Sequence, residues 1–220
     1  MSLSSTEENY IKTIYKLWGK EQQAISTNSI AVAMNTAAAS VTDMLKKLKE
    51  KGYINHQKYK GTKMLPKGMC CALLLLRKHR LWETFMVEKL NFNWDEVHIV
   101  AEQLEHIQSE QLIDSLDAFL GFPKYDPHGD PIPDKNGNIE PLKQTFLSEL
   151  EVGAKAIIVG VKEHSSPFLQ YLEKMHLILG TQVEVITVFE YDSSLLIKIK
   201  NSKECTISHK VAKNLFISAP

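Results

Sequence analysis

Apolar residues near the start of the chain recur at helical intervals. Tyr10, Ile11, Ile14, Tyr15, Leu17 and Trp18 form one stripe, and Ser5 with Glu8 has capping-box spacing, so a helix is expected until Gly19. Ser26 or Thr27 suits the cap of a short helix over Asn28–Met34. A tight turn near Asn35–Thr36 then leads into a helix running to Lys51. Its apolar face is Val41, Met44, Leu45 and Leu48, and Gly52 is its stop signal. Tyr53–Tyr59 and Thr62–Leu65, joined at Lys60-Gly61, read as a two-stranded wing.

The middle of the chain is helical. A long segment opens at Pro66 and runs to about Leu90. Asn93 caps a helix from Trp94 to Ile107, with Asp95 and Glu96 in its first turn, and another helix covers Glu110–Leu120. The apolar stretch Cys71–Leu76, with Leu81, Phe85 and Leu90, exceeds what one small helix needs and fits a dimer interface. Pro123, Pro127, Pro131 and Pro133, with Gly129 and Gly137, mark a junction. Beyond it the pattern turns to strands at Ala154–Val161, Gln182–Phe189, Leu195–Lys200 and Leu215–Ser218, with a short helix over Pro167–Met175. Together these read as a small β-barrel. The expected fold is mainly α with small β parts, in three domains over residues 1–66, 67–140 and 148–220.

Composition narrows the class. At 44% hydrophobic and 24% charged, the 220-residue chain can bury a normal core. The longest apolar run, Met69–Leu76, is far short of the ~20 residues a spanning helix needs, and the amino terminus is polar, so a cytoplasmic protein without membrane association is expected. Three cysteines, Cys70, Cys71 and Cys205, exclude a disulfide scaffold, and the adjacent pair reads as buried apolar packing. The overall neutrality hides an asymmetry: residues 1–80 carry a net +9, residues 81–140 a net −10 and the remainder +1. A basic front end suits a polyanion and an acidic middle suits cations.

The two short helices and their tight turn form a helix-turn-helix arrangement, whose second helix enters the major groove of DNA. That helix would offer Ala38, Ala39, Ser40, Thr42 and Asp43 to base edges, with Thr27 at the start of the first helix. Lys46, Lys47, Lys58 and Lys60 suit phosphate contacts.

Metal-ligand residue types gather in the acidic part. His79 and Glu83 are one helical turn apart, while His98, Glu102, Glu105 and His106 are spaced to share one face of the next helix. Imidazole with carboxylate suits a first-row divalent ion, and without cysteine among these residues a thiolate zinc site is excluded. Two rivals remain at this level: a carboxylate-bridged metal hydrolase or oxidase, and a metal-binding adaptor without DNA binding. The first lacks the paired Glu-x-x-His motifs of di-iron proteins, and the basic amino-terminal part opposes the second.

Glu8-Asn9-Tyr10-Ile11-Lys12-Thr13-Ile14-Tyr15, Arg77-Lys78-His79-Arg80-Leu81 with Glu83, and His98 with Glu102, Glu105 and His106 resemble the diphtheria toxin repressor family of metal-dependent transcriptional repressors. So does Asp126-Pro127-His128-Gly129-Asp130-Pro131-Ile132-Pro133. The resemblance implies a winged helix-turn-helix DNA-binding domain, a helical metal-binding and dimerisation domain, and an SH3-like (FeoA-like) carboxy-terminal domain. It implies a homodimer on a palindromic double-stranded DNA operator, activated by Mn(II) or Fe(II) and controlling metal-uptake genes. His79, Glu83 and His98 match an ancillary metal site, with Glu163 as the acidic ligand from the SH3-like domain. Glu102, Glu105 and His106 match the primary site, to which Asn9 can add an amide oxygen. A carboxylate at position 102, where iron-responsive members have cysteine, resembles the manganese-responsive branch. Lys12 stands where some manganese regulators have glutamate and, when protonated, is no ligand. It argues against a binuclear cluster of the two-carboxylate kind.

Overall fold

In the computed structural model, residues 3–21, 23–57, 59–139, 145–200 and 204–219 are described. Contacts divide the chain into two compact units. The first comprises Met1–His79, Glu102–Asp114 and Pro133–Ile139; the second comprises Arg80–Ala101, Ser115–Ile132 and Glu140–Pro220. The helices α4 (Pro66–Leu90), α5 (Val97–Leu104) and α6 (Glu110–Phe119) each contribute residues to both. Among the described residues, no helix is long and apolar enough to cross a membrane.

The first unit is built on α1 (Ser5–Glu21), α2 (Thr27–Ala33) and α3 (Ala38–Glu50), followed by the hairpin β1 (Ile54–Gln57) and β2 (Gly61–Met64). Tyr10, Ile11 and Ile14 of α1, Ile30 of α2, and Val41, Leu45 and Leu48 of α3 close one core. The expected apolar stripes thus face inward. The capping box of α1 sits one residue earlier than the spacing predicted. Ser4 N donates to Glu7 Oε2 (2.9 Å) and Glu7 N to Ser4 Oγ (3.3 Å), freeing Glu8 for another partner. Ser26 is the cap of α2, its Oγ accepting from Ser29 N at 2.9 Å. The turn into α3 is tight because Asn35 adopts φ +47°, a conformation asparagine tolerates better than most residues. Ile25 bridges to Thr62 through two backbone hydrogen bonds of 2.8 and 2.9 Å, which fastens the wing to the helices.

The second unit carries a six-stranded antiparallel sheet in the order β3-β8-β4-β5-β6-β7. Its strands are β3 (Thr145–Phe146), β4 (Lys155–Val161), β5 (Gln182–Val188), β6 (Leu195–Ile199), β7 (Glu204–Ile207) and β8 (Leu215–Ser218). The four central strands were expected; the edge strands β3 and β7 were not. Helices α7 (Ser166–Lys174) and α8 (His209–Ala212) complete it, and Leu169, Leu172 and Ala212 join Ile158, Val185, Ile197 and Leu215 in its core. Irregularities at Ile158/Gly160 and Val185/Thr187 break the pairing register, as bulges do where a sheet bends.

The proline-rich junction is held firmly within this unit. His128 O accepts from Val161 N at 2.9 Å, and Gly129 has φ +86°. A Cβ at Gly129 would lie 2.2 Å from Val159 O and 2.4 Å from Gly160 Cα. Gly129→Ala therefore meets both a forbidden conformation and backbone atoms that cannot give way. It should lower unfolding free energy by about 2 kcal/mol or more, read from urea denaturation.

Candidate metal centre and nucleic-acid face

Helix α5 ends at Leu104, so Glu105 and His106 lie in the following turn and not, as the spacing predicted, on a continuous helix to Ile107. Ile107 N bonds Leu104 O at 3.1 Å, closing that turn. The reversal points Glu105 inward, with no exposure at all, against α1. There the Lys12 ammonium lies 2.5 Å from Glu105 Oε2 and 2.7 Å from Glu102 Oε1. His79 Nδ1 donates to the same Glu105 Oε2 at 2.5 Å. His79, matched by resemblance to a site with Glu83 and His98, thus makes this contact in the first unit. One ligand atom from each of His79, Glu102 and Glu105 lies within 4.8 Å of the others.

A second contact ties α1 to the same turn. His106 Nδ1 donates to Glu8 Oε2 at 2.6 Å, and Gln108 Nε2 donates to Glu8 Oε1 at 2.9 Å. A carboxylate on Nδ1 fixes the neutral ring's tautomer and presents the Nε2 lone pair outward, the arrangement that orients metal-binding imidazoles. Nε2 lies 4.0 Å from Glu105 Oε1. That oxygen and Asn9 Oδ1 are both buried without a hydrogen-bond partner. Orphaned buried acceptors are costly, and a cation answers that cost. Asn9, Glu102, Glu105 and His106 therefore fit a divalent ion. Glu8, which sequence reading passed over as a functional residue, positions His106; its spacing to Ser5 had disguised it as a cap.

The second unit holds another group. Glu83, Asp126 and His128 are all buried, with one ligand atom of each within 4.8 Å of the others. His128 Nε2 donates to Trp94 O at 2.8 Å, which leaves Nδ1 facing Glu83 Oε2 and Asp126 Oδ1, each 3.9 Å away. The ring stacks between Trp94 and His164, at centroid distances of 6.0 and 4.9 Å. Burial holds the His128 pKa below its usual value, which favours the neutral ligand form. Burial, and then the charges of Asp130 and Glu83, push Asp126 up to about 8. Arg80 offsets part of this, with Nε 3.5 Å from Asp126 Oδ2 and Nη2 2.9 Å from Asp130 Oδ2. Asp126 Oδ1 accepts from the amides of His128 (2.8 Å) and Asp130 (3.0 Å), so the carboxylate is fixed in place.

Asp126 and His128 were not among the ligands read from sequence, although the Asp-Pro-His-Gly motif carrying them was visible. Glu83 Oε1 also contacts His98 Nδ1 at 3.2 Å, with the His98 side chain 54% exposed. Glu163 accepts from Ser165 at 2.6 Å and falls in none of the three ligand groups found among the described residues. Cys70 is exposed and Cys71 half-buried, which corrects the expectation of a buried pair. Burial of the Cys71 thiol pushes its pKa up to about 11.

On the DNA-binding side, Ala38, Ala39, Ser40, Thr42, Asp43, Lys46 and Lys47 are all exposed on α3, and Lys60 is exposed in the wing turn. Thr27 opens α2 and is half-buried, while Lys58 lies outside the described residues. Thr42 Oγ1 donates back to Ala38 O at 2.9 Å, so its methyl is the group it offers outward.

The sequence matches three domain families in order. These are the iron dependent repressor N-terminal DNA binding domain over residues 2–62, the iron dependent repressor metal binding and dimerisation domain over 65–134, and the FeoA domain over 145–219. It is 31% identical over 118 residues to an uncharacterized HTH-type transcriptional regulator of Methanocaldococcus jannaschii, spanning 54% of this chain and 94% of that protein. A solved manganese-dependent transcriptional repressor in complex with manganese aligns with TM-score 0.81 at 29% identity, over 97% of this chain and all of that one. The manganese regulator SloR aligns with TM-score 0.71 at 30% identity over the full length of both. A match of 39% over 84 residues spans 38% of this chain but only 18% of a probable metal transport system membrane protein of Chlamydia trachomatis. The domain order defines a metal-dependent, DNA-binding transcriptional regulator, and the enzyme alternative falls with it. The chain belongs to the iron-dependent repressor family, also known as the diphtheria toxin repressor family.

Asp126→Asn tests the second ligand group. The amide keeps the oxygen that accepts from His128 and Asp130 but removes the ligand charge. Metal-free stability should change by no more than about 1 kcal/mol in thermal melts. Mn(II) affinity, measured by calorimetry, should fall about tenfold or more.

Proposed function

We propose that the chain is a repressor of metal-ion uptake genes, activated by Mn(II) or Fe(II), which binds a palindromic operator as a homodimer in the cytoplasm. One observation carries this reading: α1, part of the DNA-binding domain, is joined through Lys12 and Glu8 to Glu102, Glu105 and His106. Asn9, Glu102, Glu105 and His106 are the ligands of the core site, whose two orphaned oxygens call for a cation. His79, Glu83, His98 and Glu163 form the ancillary set, and the Glu83, Asp126 and His128 group extends it from the junction. The three-part division into residues 1–66, 67–140 and 148–220 assigns these roles to domains.

A divalent ion supplies the positive charge that clustered carboxylates need in order to hold one geometry. Glu8 keeps His106 oriented, and Glu105 faces α1 at full burial, so a change in this cluster is felt by the DNA-binding helices. Relatives named manganese-dependent and the family's iron-dependent description both support these two ions. The matched dimerisation domain supports the homodimer. Within it, α5 and α6 leave Ile99 and Phe119 exposed by 69% and 66%. Thr27, Ala38, Ala39, Ser40, Thr42 and Asp43 face the bases, and Lys47, Lys58 and Lys60 the phosphates.

His106→Ala should abolish metal-stimulated operator binding in gel-shift titrations while leaving a folded dimer; an unchanged response to Mn(II) would overturn the reading. Lys47→Ala should weaken binding about equally across DNA sequences and lower the salt slope of log K by about 1.

A further inference from the structure

The Lys12 side chain is 4% exposed, and its ammonium sits among His79, Glu102 and Glu105, themselves a group of divalent-ion ligand types. It bonds one oxygen of each carboxylate, at 2.7 and 2.5 Å, and lies 3.4 Å from His79 Nδ1. Glu105 is used asymmetrically: Oε2 receives both Lys12 and His79, while Oε1 receives neither and faces His106 Nε2. One side of the cluster is therefore supplied with positive charge by the chain itself, and the other side is not.

We propose that the Lys12 ammonium is a resident cation of this core, standing where a second divalent ion would bind, so that the core takes a single ion on the Glu105 Oε1 side. This rests on the reading of Asn9, Glu102, Glu105 and His106 as a metal site. An ion entering between His79, Glu102 and Glu105 would have to displace an ammonium already at bonding distance from both carboxylates. The ammonium is tethered through α1, so its effective concentration at the site stays high whatever the free metal. Two cations sharing those oxygens would also repel strongly in a buried setting. One tie between α1 and the Glu102–His106 segment consequently survives removal of metal.

Electron paramagnetic resonance of the full chain titrated with Mn(II) tests this, because two ions about 3.5–4 Å apart, as in two-metal sites, are spin-coupled and a single ion is not. The wild type should show no coupled signal at saturating Mn(II). Lys12→Glu should bind one additional Mn(II) per subunit in equilibrium dialysis and gain the coupled signal. A coupled signal in the wild type, or unchanged stoichiometry in Lys12→Glu shown by circular dichroism to be folded, would overturn the proposal. If Lys12→Glu does not fold, the wild-type spectrum decides alone. Glu105→Gln and His106→Ala separate the two levels of the argument. Mn(II) affinity indifferent to both removes the core site and the proposal together, whereas a coupled pair that depends on them removes only the resident cation.

Discussion

Burying a carboxylate without a cation is among the most expensive things a fold can do, and Glu105 is wholly buried. The arrangement of the first unit follows from meeting that demand. Helix α5 stops at Leu104 so that the turn can aim Glu105 inward, α1 offers Lys12 to one carboxylate oxygen, and α4 offers His79 to the same oxygen. The remaining oxygen is left without a partner beside an imidazole whose tautomer is set by Glu8. A site that is partly satisfied by its own chain and partly unsatisfied is suited to respond to an added ion.

The second unit meets a similar demand by different means. Asp126 is held by two backbone amides and by Arg80, and His128 by a carbonyl and two flanking rings. Both groups use one ring nitrogen of a histidine for positioning and keep the other for a ligand. The nitrogens are opposite in the two cases: Nε2 is presented by His106 and Nδ1 by His128. The difference follows from which nitrogen finds the acceptor, a carboxylate on α1 for one and the Trp94 carbonyl for the other.

Much of this architecture was readable from periodicity. The stripe on α1, the apolar face of α3, the length of α4 and the four central strands came from spacing alone, because each buries one regular face. The edge strands were invisible for physical reasons: β3 has two residues and β7 four, too few for an alternating pattern to stand out. The end of α5 was misread because Ile107 continues the helical spacing while the chain turns for the sake of Glu105. Asp126 and His128 escaped because a polar loop rich in proline and glycine normally faces solvent, and only the fold reveals that these side chains are buried. Lys12 was recognised as unfit to be a ligand, but its bond to Glu102, 90 positions away, is a tertiary fact with no local signature.

The hydrogen bond from Thr42 to Ala38 has a consequence for which chemical marks on DNA this face can distinguish. With the hydroxyl turned back onto its own helix, the proposed reading face offers methyl groups from Ala38, Ala39 and Thr42 side by side. Such a surface senses the C5 methyl of thymine by contact rather than by donor and acceptor pattern. A cytosine methylated at C5 carries the same group in the same place. At the positions these three residues cover, the helix would take an epigenetic mark for a change of base.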